Sequence, residues 1–413
     1  MTDGPIDVEA IRKDFPLLAR TVHGRPVVYL DSAATALQPR SVLAAMDHYY
    51  ETTHANVHRG VYATAEEATR LYETARIRVG RFVGSRHPEH EVVFAKNATE
   101  ALNLVAWSWG RTHLSAGDAV LLTEMEHHAN IVPWLMLAEE RGIELRFVPI
   151  DGDGRLDLSD LERLADGVKL VGVTAMSNVL GTINPLPRIT EVAHAAGAVV
   201  VADGAQSVPH LPVDVTELGV DFLAFSGHKM LGPTGIGVLW GRSELLDAMP
   251  PFLGGGGMIL DVRTDRFVPA EVPRRFEAGT PPIAEAVGLS AAVDYLEQVG
   301  MDRVRRHEAA LTRYALEAIA ARLGSDCTVF GPADVEARGG VLSLAYRDVH
   351  AHDLAQVLDQ FAVCVRPGHH CAKPLMRRLG VTATARASIG LYNDERDIDM
   401  LIEGLVEAGR LFG

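Results

Sequence analysis

A chain of 413 residues that is 47% hydrophobic and 23% charged has the composition of a folded globular protein. That excludes a disordered tail, a collagen-like repeat and a coiled coil, and the length suits one large and one smaller domain better than a single core. Against 54 Asp and Glu there are only 39 Lys and Arg, a net charge of −15, so no global positive field exists to draw in nucleic acid.

The opening MTDGPIDVEAIRKDF carries neither the basic nor the apolar run of a leader, and no uncharged apolar stretch approaches the length of a bilayer span. A cytoplasmic protein without membrane contact is expected. An amphipathic helix is predicted near 8–15. Beyond it, short β-branched runs alternate with longer periodic stretches: strands at 27–30 (VVYL), 91–95 (EVVFA), 119–123 (AVLLT), 169–175 (KLVGVTA) and 198–202 (AVVVA), with helices between them. The helix at 66–83 places Leu71, Tyr72, Ala75, Val79, Phe82 and Val83 on one face, the spacing of a packed helix. Strands this apolar are buried on both faces, which predicts an α/β fold with a mostly parallel sheet and ligands at the carboxyl ends of its strands.

From about Tyr295 the pattern becomes helix, strand, helix, strand, strand, helix, with GGVLSLAY at 339–346 and ATARASIGLY at 383–392. The last helix spaces Ile398, Leu401, Ile402, Leu405 and Val406 at helical intervals, and the whole reads as a smaller α+β domain. The division expected is a large domain over 25–292 and a small one from 1–24 and 293–413. The four-glycine run 254–257 and the proline-dotted stretch 262–282 have no clear period and are expected to be mobile.

The most informative segment is DFLAFSGHKMLGPTGIGVLW, in which an apolar strand ends in Ser226, His228 and Lys229 before a glycine-rich turn. A lone lysine at a strand end is usually solvated. Here hydroxyl and imidazole donors beside it suit a phosphate monoester, the glycines allow close backbone approach, and the grouping fits a Schiff-base lysine with its cofactor's phosphate alongside. Upstream, AVVVADGAQSVP sets Asp203 directly after a strand and Gln206 three further on. Such a carboxylate could equally ligate a metal or cap a helix; beside a Schiff-base lysine, pairing with the pyridinium nitrogen of pyridoxal phosphate is the better role. The loop KNATE opens a helix whose free amides, with the Thr99 hydroxyl, can bind phosphate, although a threonine there is more often a cap. In MEHHANIVPW, after AVLLT, one histidine could stack on a cofactor ring or be structural.

Three cysteines, Cys327, Cys364 and Cys371, are too few and scattered for a disulfide framework or a four-thiolate zinc site. Cys364 in AVCVR and Cys327 before VFG fit buried small hydrophobes. Cys371 does not: it follows Pro367, Gly368 and two histidines in the polar loop RPGHHCAKP, where neighbouring groups can favour thiolate. A metal held by His369, His370 and Cys371 is the competing reading, and three consecutive residues rarely converge on one ion.

Together these motifs resemble the fold-type I pyridoxal-phosphate enzymes, and more closely the group II cysteine desulfurases, the SufS family with its selenocysteine lyase relatives. The resemblance runs from YLDSAAT at Tyr29 through RASIGLYN at Arg386 and includes SNVLGT, DGAQSVPH, FSGHKMLGPTGIG, RFEAGTP and VRPGHHCAKPLM. It implies Lys229 as the cofactor-bearing lysine, Asp203 on the ring nitrogen, Gln206 on the ring hydroxyl and His127 stacked on the ring. Thr99, Ser226 and His228 would hold the phosphate, with Thr280 reaching in from a second subunit of a homodimer. Asn178 and Arg386 would hold the substrate carboxylate, with Arg366 a further anion contact. The implied reaction takes L-cysteine to L-alanine and leaves its sulfur on Cys371 as a persulfide for an acceptor protein serving iron-sulfur cluster assembly. His352, opening the helix before the cysteine loop, resembles the histidine with which some SufS proteins take a zinc ligand position in a SufU-like acceptor; relatives served by SufE-like acceptors need none. Rival readings are a selenocysteine lyase, an aminotransferase needing no loop cysteine, and a non-catalytic cofactor-binding scaffold. The scaffold should show damage at Lys229, Asp203 or Cys371, and all three are intact.

Overall fold

The computed structural model describes residues 4–412; residues 1–3 and 413, the outer ends of the expected small domain, lie outside the described residues. Seven strands form one sheet: β1 (Val92–Ala95), β2 (Ala119–Thr123), β3 (Glu144–Val148), β4 (Val168–Thr174), β5 (Val199–Asp203), β6 (Phe222–Ser226) and β7 (Gly237–Gly241). Their order across the sheet is β1, β7, β6, β5, β4, β2, β3. Only β7 runs antiparallel to its neighbours, so the other six point their carboxyl ends at one edge. The mostly parallel sheet predicted from the apolar runs is present. Six strands are buried on almost every residue, whereas β3, at the edge, is half-exposed, which is why its sequence ELRFV lacks a clean apolar run.

The stretch VVYL does not join this sheet. Its Val28–Tyr29 pairs in parallel with Val363–Cys364, and Val28 and Leu30 pack in the C-terminal core with Leu342, Leu354 and Ile398. A four-residue apolar run states burial without stating which sheet receives it.

Downstream, β8 (Ile259–Val262) and β9 (Phe267–Pro269) form an antiparallel hairpin that begins just after the four-glycine run and ends inside the stretch 262–282. In the C-terminal part, β10 (Cys327–Phe330), β11 (Val341–Tyr346), β12 (Arg366–Gly368) and β13 (Thr384–Ser388) build a sheet of order β10, β11, β13, β12. Helices Met301–Leu323, Ala351–Gln360 and Glu395–Phe412 cover it; the last buries Ile398, Leu401, Ile402 and Leu405, the face that its spacing predicts. The N-terminal helix is shorter than expected, Val8–Arg12, capped by the Asp7 carboxylate. Helix Ala63–Phe82 buries Tyr72, Ala75 and Val79 as predicted, and also Arg76, which no apolar periodicity reveals. Among the described residues no helix is long and apolar enough to cross a membrane.

Candidate active site

The carboxyl edge of the parallel strands opens into a cavity of about 310 Å³. Each strand delivers its own piece: β1 leads to Asn97, Ala98 and Thr99, β2 to His127, β4 to Met176 and Asn178, β5 ends in Asp203, and β6 ends in Ser226 followed by His228 and Lys229. The C-terminal sheet closes the other wall with Arg366, His370, Cys371 and Arg386. Eleven of the thirteen residues singled out from sequence therefore line one cavity. Thr280 and His352 do not: Thr280 is exposed in a separate surface cavity, and His352 sits at the start of helix Ala351–Gln360, its ring stacked on that of His350 at 5.1 Å.

Local structure explains the placement. Ser226 ends β6, and Gly227–Lys229 form a single 3₁₀ turn that aims Lys229 back over the sheet edge. Asn97 caps the helix that begins at Ala98 by accepting from the Glu100 amide at 3.0 Å. The Ser226 hydroxyl accepts from the Ala98 amide at 2.9 Å, which leaves its own proton to donate into the cavity. Only glycine fits at 237, where an added Cβ would lie 2.4 Å from the Asn97 Cα, so β7 and the loop before the helix pack backbone to backbone.

The charges in this cavity are set chiefly by burial. Lys229 is lowered from its ordinary range by burial and by Arg386, against the pull of Asp203 and Cys371, which favours the free amine. Burial raises Asp203, while Lys229 and the Ala205 amide, 3.0 Å from its Oδ1, oppose the rise. A buried carboxyl so placed has one oxygen committed to the backbone and needs a cation to stay ionised. Burial, with Lys229 beside it, lowers His127 to about 3, so its ring is neutral; Nδ1 accepts from the Ala129 amide at 3.0 Å, which puts the proton on Nε2. His228 is likewise lowered to about 4, by burial and then by Lys229; Thr35 Oγ1 lies 3.2 Å from its Nδ1.

Two arginines converge on Asp31. Arg366 donates to its carboxylate at 2.8 and 3.2 Å, and Arg386 reaches it at 3.5 Å while donating to the Asn178 carbonyl at 3.0 Å. Burial lowers Arg386 to about 10, still far above neutrality. Asp31 received no role from the sequence, although it stands inside the motif YLDSAAT; the signal was a carboxylate two residues after a short apolar strand. Glu126 was missed too. It is fully buried beside His127 and accepts from Thr123 Oγ1 at 2.6 Å, the Thr174 amide at 2.8 Å and Asn130 Nδ2 at 2.8 Å.

Cys371 is the exposed cysteine of the three; burial raises Cys327 to about 12 and also raises Cys364. Its loop is held in an unusual shape, with His370 and Cys371 both at positive φ, 51° and 54°. The large sheet's loops pin it there: the Cys371 carbonyl accepts from the His128 amide at 2.7 Å and the His370 carbonyl accepts from Asn178 Nδ2 at 2.8 Å. Asn178 thus grips the cysteine loop through the amide expected to face substrate. His369 Nδ1 accepts from the Cys371 amide, and among the described residues no cluster of three His, Cys, Asp or Glu side chains could hold a metal.

The aminotransferase class-V family pattern matches residues 28–401. This chain belongs to the aminotransferase class-V family. It is 50% identical over 416 residues to a probable cysteine desulfurase of Streptomyces coelicolor, covering 99% of both chains. To a cysteine desulfurase of Haloferax volcanii it is 45% identical, covering 99% of this chain and 98% of the other. Among solved structures, the apo cysteine desulfurase of Thermococcus onnurineus superposes with a TM-score of 0.93 at 42% identity, covering 98% and 99% of the two chains. The Escherichia coli cysteine desulfurase CsdA superposes at 0.91 and 38% identity, covering 99% of this chain and all of that one. The fold is that of the fold-type I pyridoxal-phosphate transferases, with the seven-stranded sheet flanked by helices.

The residues present fit that cofactor. Gln206 Oε1 is buried without a partner while its Nε2 donates to the Ala33 carbonyl at 2.8 Å, and the buried Arg386 Nε is likewise unpaired. Unmet polar atoms at this depth cost about 1–3 kcal/mol each, so they point to groups that a bound ligand supplies. Asp203 offers an acceptor at the cavity floor for a ring N–H, and the Ser226 hydroxyl beside the helix start offers a donor for a phosphate.

Proposed function

We propose that this protein is a cysteine desulfurase of the SufS type, converting L-cysteine to L-alanine and holding the released sulfur as a persulfide on Cys371. The observation that carries the reading is one cavity whose floor holds Lys229 and Asp203 and whose mouth holds the exposed Cys371. An aminotransferase would need the first pair and has no use for the thiol. The similarity to cysteine desulfurases over almost the whole chain supports it.

Pyridoxal phosphate would be linked by Lys229, paired at its ring nitrogen by Asp203, contacted at its hydroxyl by Gln206 and covered by His127. Its phosphate would meet Ser226, His228, Thr99 and, from a second subunit of a homodimer, Thr280. When bound, the cofactor supplies an electron sink for the carbon bearing the amino group. Arg386 and Arg366 bind the substrate carboxylate, displacing part of their hold on Asp31, while Asn178 keeps the cysteine loop in place. The Lys229 amine, favoured neutral by burial, takes the α-proton and can return it. The Cys371 thiolate then attacks the substrate sulfur: a sulfur–sulfur bond forms, the carbon–sulfur bond breaks, and its electron pair stays on carbon, which is protonated to alanine. An acceptor thiol collects the outer sulfur, with iron-sulfur cluster assembly as its destination and the cytoplasm as the setting. Residues 25–292 serve as the cofactor-binding domain, apart from Val28–Leu30, which pack with the other part, and 1–24 with 293–413 as the domain that carries the cysteine loop.

Mass spectrometry of the purified protein after L-cysteine tests the reading. Added sulfur is expected on the peptide containing Cys371, and none in Cys371→Ser. Alanine release without any modification of Cys371 would remove the persulfide step.

A further inference from the structure

Outside the lining of the Lys229 cavity, the fully buried Arg76 makes contacts whose purpose the fold alone does not explain. Its guanidinium forks onto Glu277, Nη1 to Oε1 at 2.7 Å and Nη2 to Oε2 at 2.9 Å, and Nη1 also donates to the Val92 carbonyl at 2.8 Å. Glu277 accepts two further donors, the Tyr72 hydroxyl at 3.0 Å and the Phe94 amide at 2.8 Å, so its side chain is immobilised from four directions. Arg76 is sandwiched by the rings of Tyr72 and Phe94, 5.1 and 4.9 Å from its carbon. Through Nε it holds Glu73 at 2.8 Å, and Glu73 in turn holds His58 Nε2 at 2.8 Å.

Buried ion pairs of this kind contribute little net stability, because desolvation offsets the attraction; what good geometry does supply is position. Glu277 stands three residues before Thr280, and His58 stands in the loop facing it. The two ends of the network therefore bear on one second cavity of about 430 Å³, lined among others by Asn56, His58, Arg59, Arg274 and Thr280. Across it Asn56 Nδ2 approaches Thr280 Oγ1 at 3.5 Å. Thr280 is exposed and does not line its own chain's Lys229 cavity, so whatever order Glu277 imposes on Thr280 is of no use to that cavity.

We propose that Arg76, through Glu277 on one wall and Glu73 with His58 on the other, is a positioning residue for the cofactor site of the neighbouring subunit, setting Thr280 against that subunit's phosphate. This rests on the reading of a homodimer whose Thr280 crosses between subunits. Arg76 touches neither cofactor nor substrate. Its effect through Thr280 belongs to the partner's site, whereas its hold on Val92 and Phe94 steadies a strand of its own chain.

Mixed dimers separate these cases. With Glu277→Gln and Lys229→Ala on the same chain, the single site able to link the cofactor receives Thr280 from the altered chain. With the two substitutions on opposite chains, that site receives an unaltered Thr280, while the dimer contains the same substitutions and the same folding burden. Cofactor release, followed by visible absorbance on dilution, is expected to be about tenfold faster in the first arrangement, the scale of one hydrogen bond to a charged group. Should Glu277→Gln not fold, Glu73→Gln at its half-exposed position carries the same comparison with a smaller difference of the same sign. Equal rates, or faster release when the substitutions lie on opposite chains, would overturn the proposal. A wild-type protein that takes up no cofactor would strike the functional reading first, and the proposal with it.

Discussion

Lys229 and Glu126 show how burial dominates protonation in this molecule. Because Lys229 is the lysine lining the cavity at the strand ends, Lys229→Ala should abolish the visible band of the holoprotein and the borohydride-reducible link to cofactor; retention of either at wild-type level would displace it from the role. Glu126 is raised from 4.5 to about 8 by burial, despite hydrogen bonds from Thr123, Asn130 and Thr174 that oppose the rise, and Asp203 adds to it. The sign follows from a folded-state value above the unfolded one. The protonated carboxyl stabilises fully below pH 4.5, and that contribution is lost as the pH climbs to about 8. At about 1.4 kcal/mol for each unit of pKa, the loss is on the order of 5 kcal/mol for a fully buried group. Urea unfolding at pH 5 and pH 8 should therefore show a smaller pH dependence in Glu126→Gln than in the wild type. An unchanged dependence would mean that Glu126 stays ionised in the folded protein.

At the scale of elements, the site is a set of strand ends, and its precision comes from what locks one end to the next. Glu126 joins the turn after β2 to the last residue of β4, Thr174, whose strand partner is Asp203. The close approach of β7 to the helix start at Ala98 does the same for the Ser226 side of the cavity. Gly237→Ala forces a Cβ into the Asn97 backbone and should cost about 1–3 kcal/mol, the range for overpacking, with weaker cofactor retention than the loss of stability alone explains. A melting temperature and cofactor affinity both equal to wild type would show that the loop can retreat. The cysteine loop is fixed from outside its own sheet, by Asn178 and the His128 amide, so the left-handed backbone at His370 and Cys371 is sustained by tertiary contacts.

On the scale of the whole molecule, His352 stands apart from the Lys229 cavity, so its expected part in meeting an acceptor can be tested separately. His352 is outside the cavity, stacked on His350 at the start of helix Ala351–Gln360, whose Leu354, Val357 and Leu358 bury its other face. Neutral imidazole is a good zinc ligand, and a ring on this exposed turn is free to reach a metal carried by another protein. His352→Ala is expected to leave the slow, reductant-driven reaction nearly intact and to remove most stimulation by a zinc-loaded SufU-like acceptor, measured as alanine release. Undiminished stimulation would point to an acceptor that needs no such ligand, as SufE-like proteins do.

The amino-acid sequence by itself determined the sheet's apolar strands, the terminal helix with its stripe of Ile398, Leu401, Ile402 and Leu405, and the cluster of Ser226, His228 and Lys229 at a strand end. These are local statements: burial on both faces leaves a run of Val, Leu and Ala, helical packing leaves a 3.6-residue period, and a phosphate-sized turn leaves glycines. Only the tertiary structure decided where VVYL pairs, since a short apolar run does not name its partner strand. It also decided that Asp31 lies between Arg366 and Arg386, residues 335 and 355 positions away in the chain. The same holds for Glu126 and Arg76. A charged side chain reads as a surface residue in sequence, and its burial becomes intelligible only when the donors or carboxylates that satisfy it, brought from distant segments, are in place.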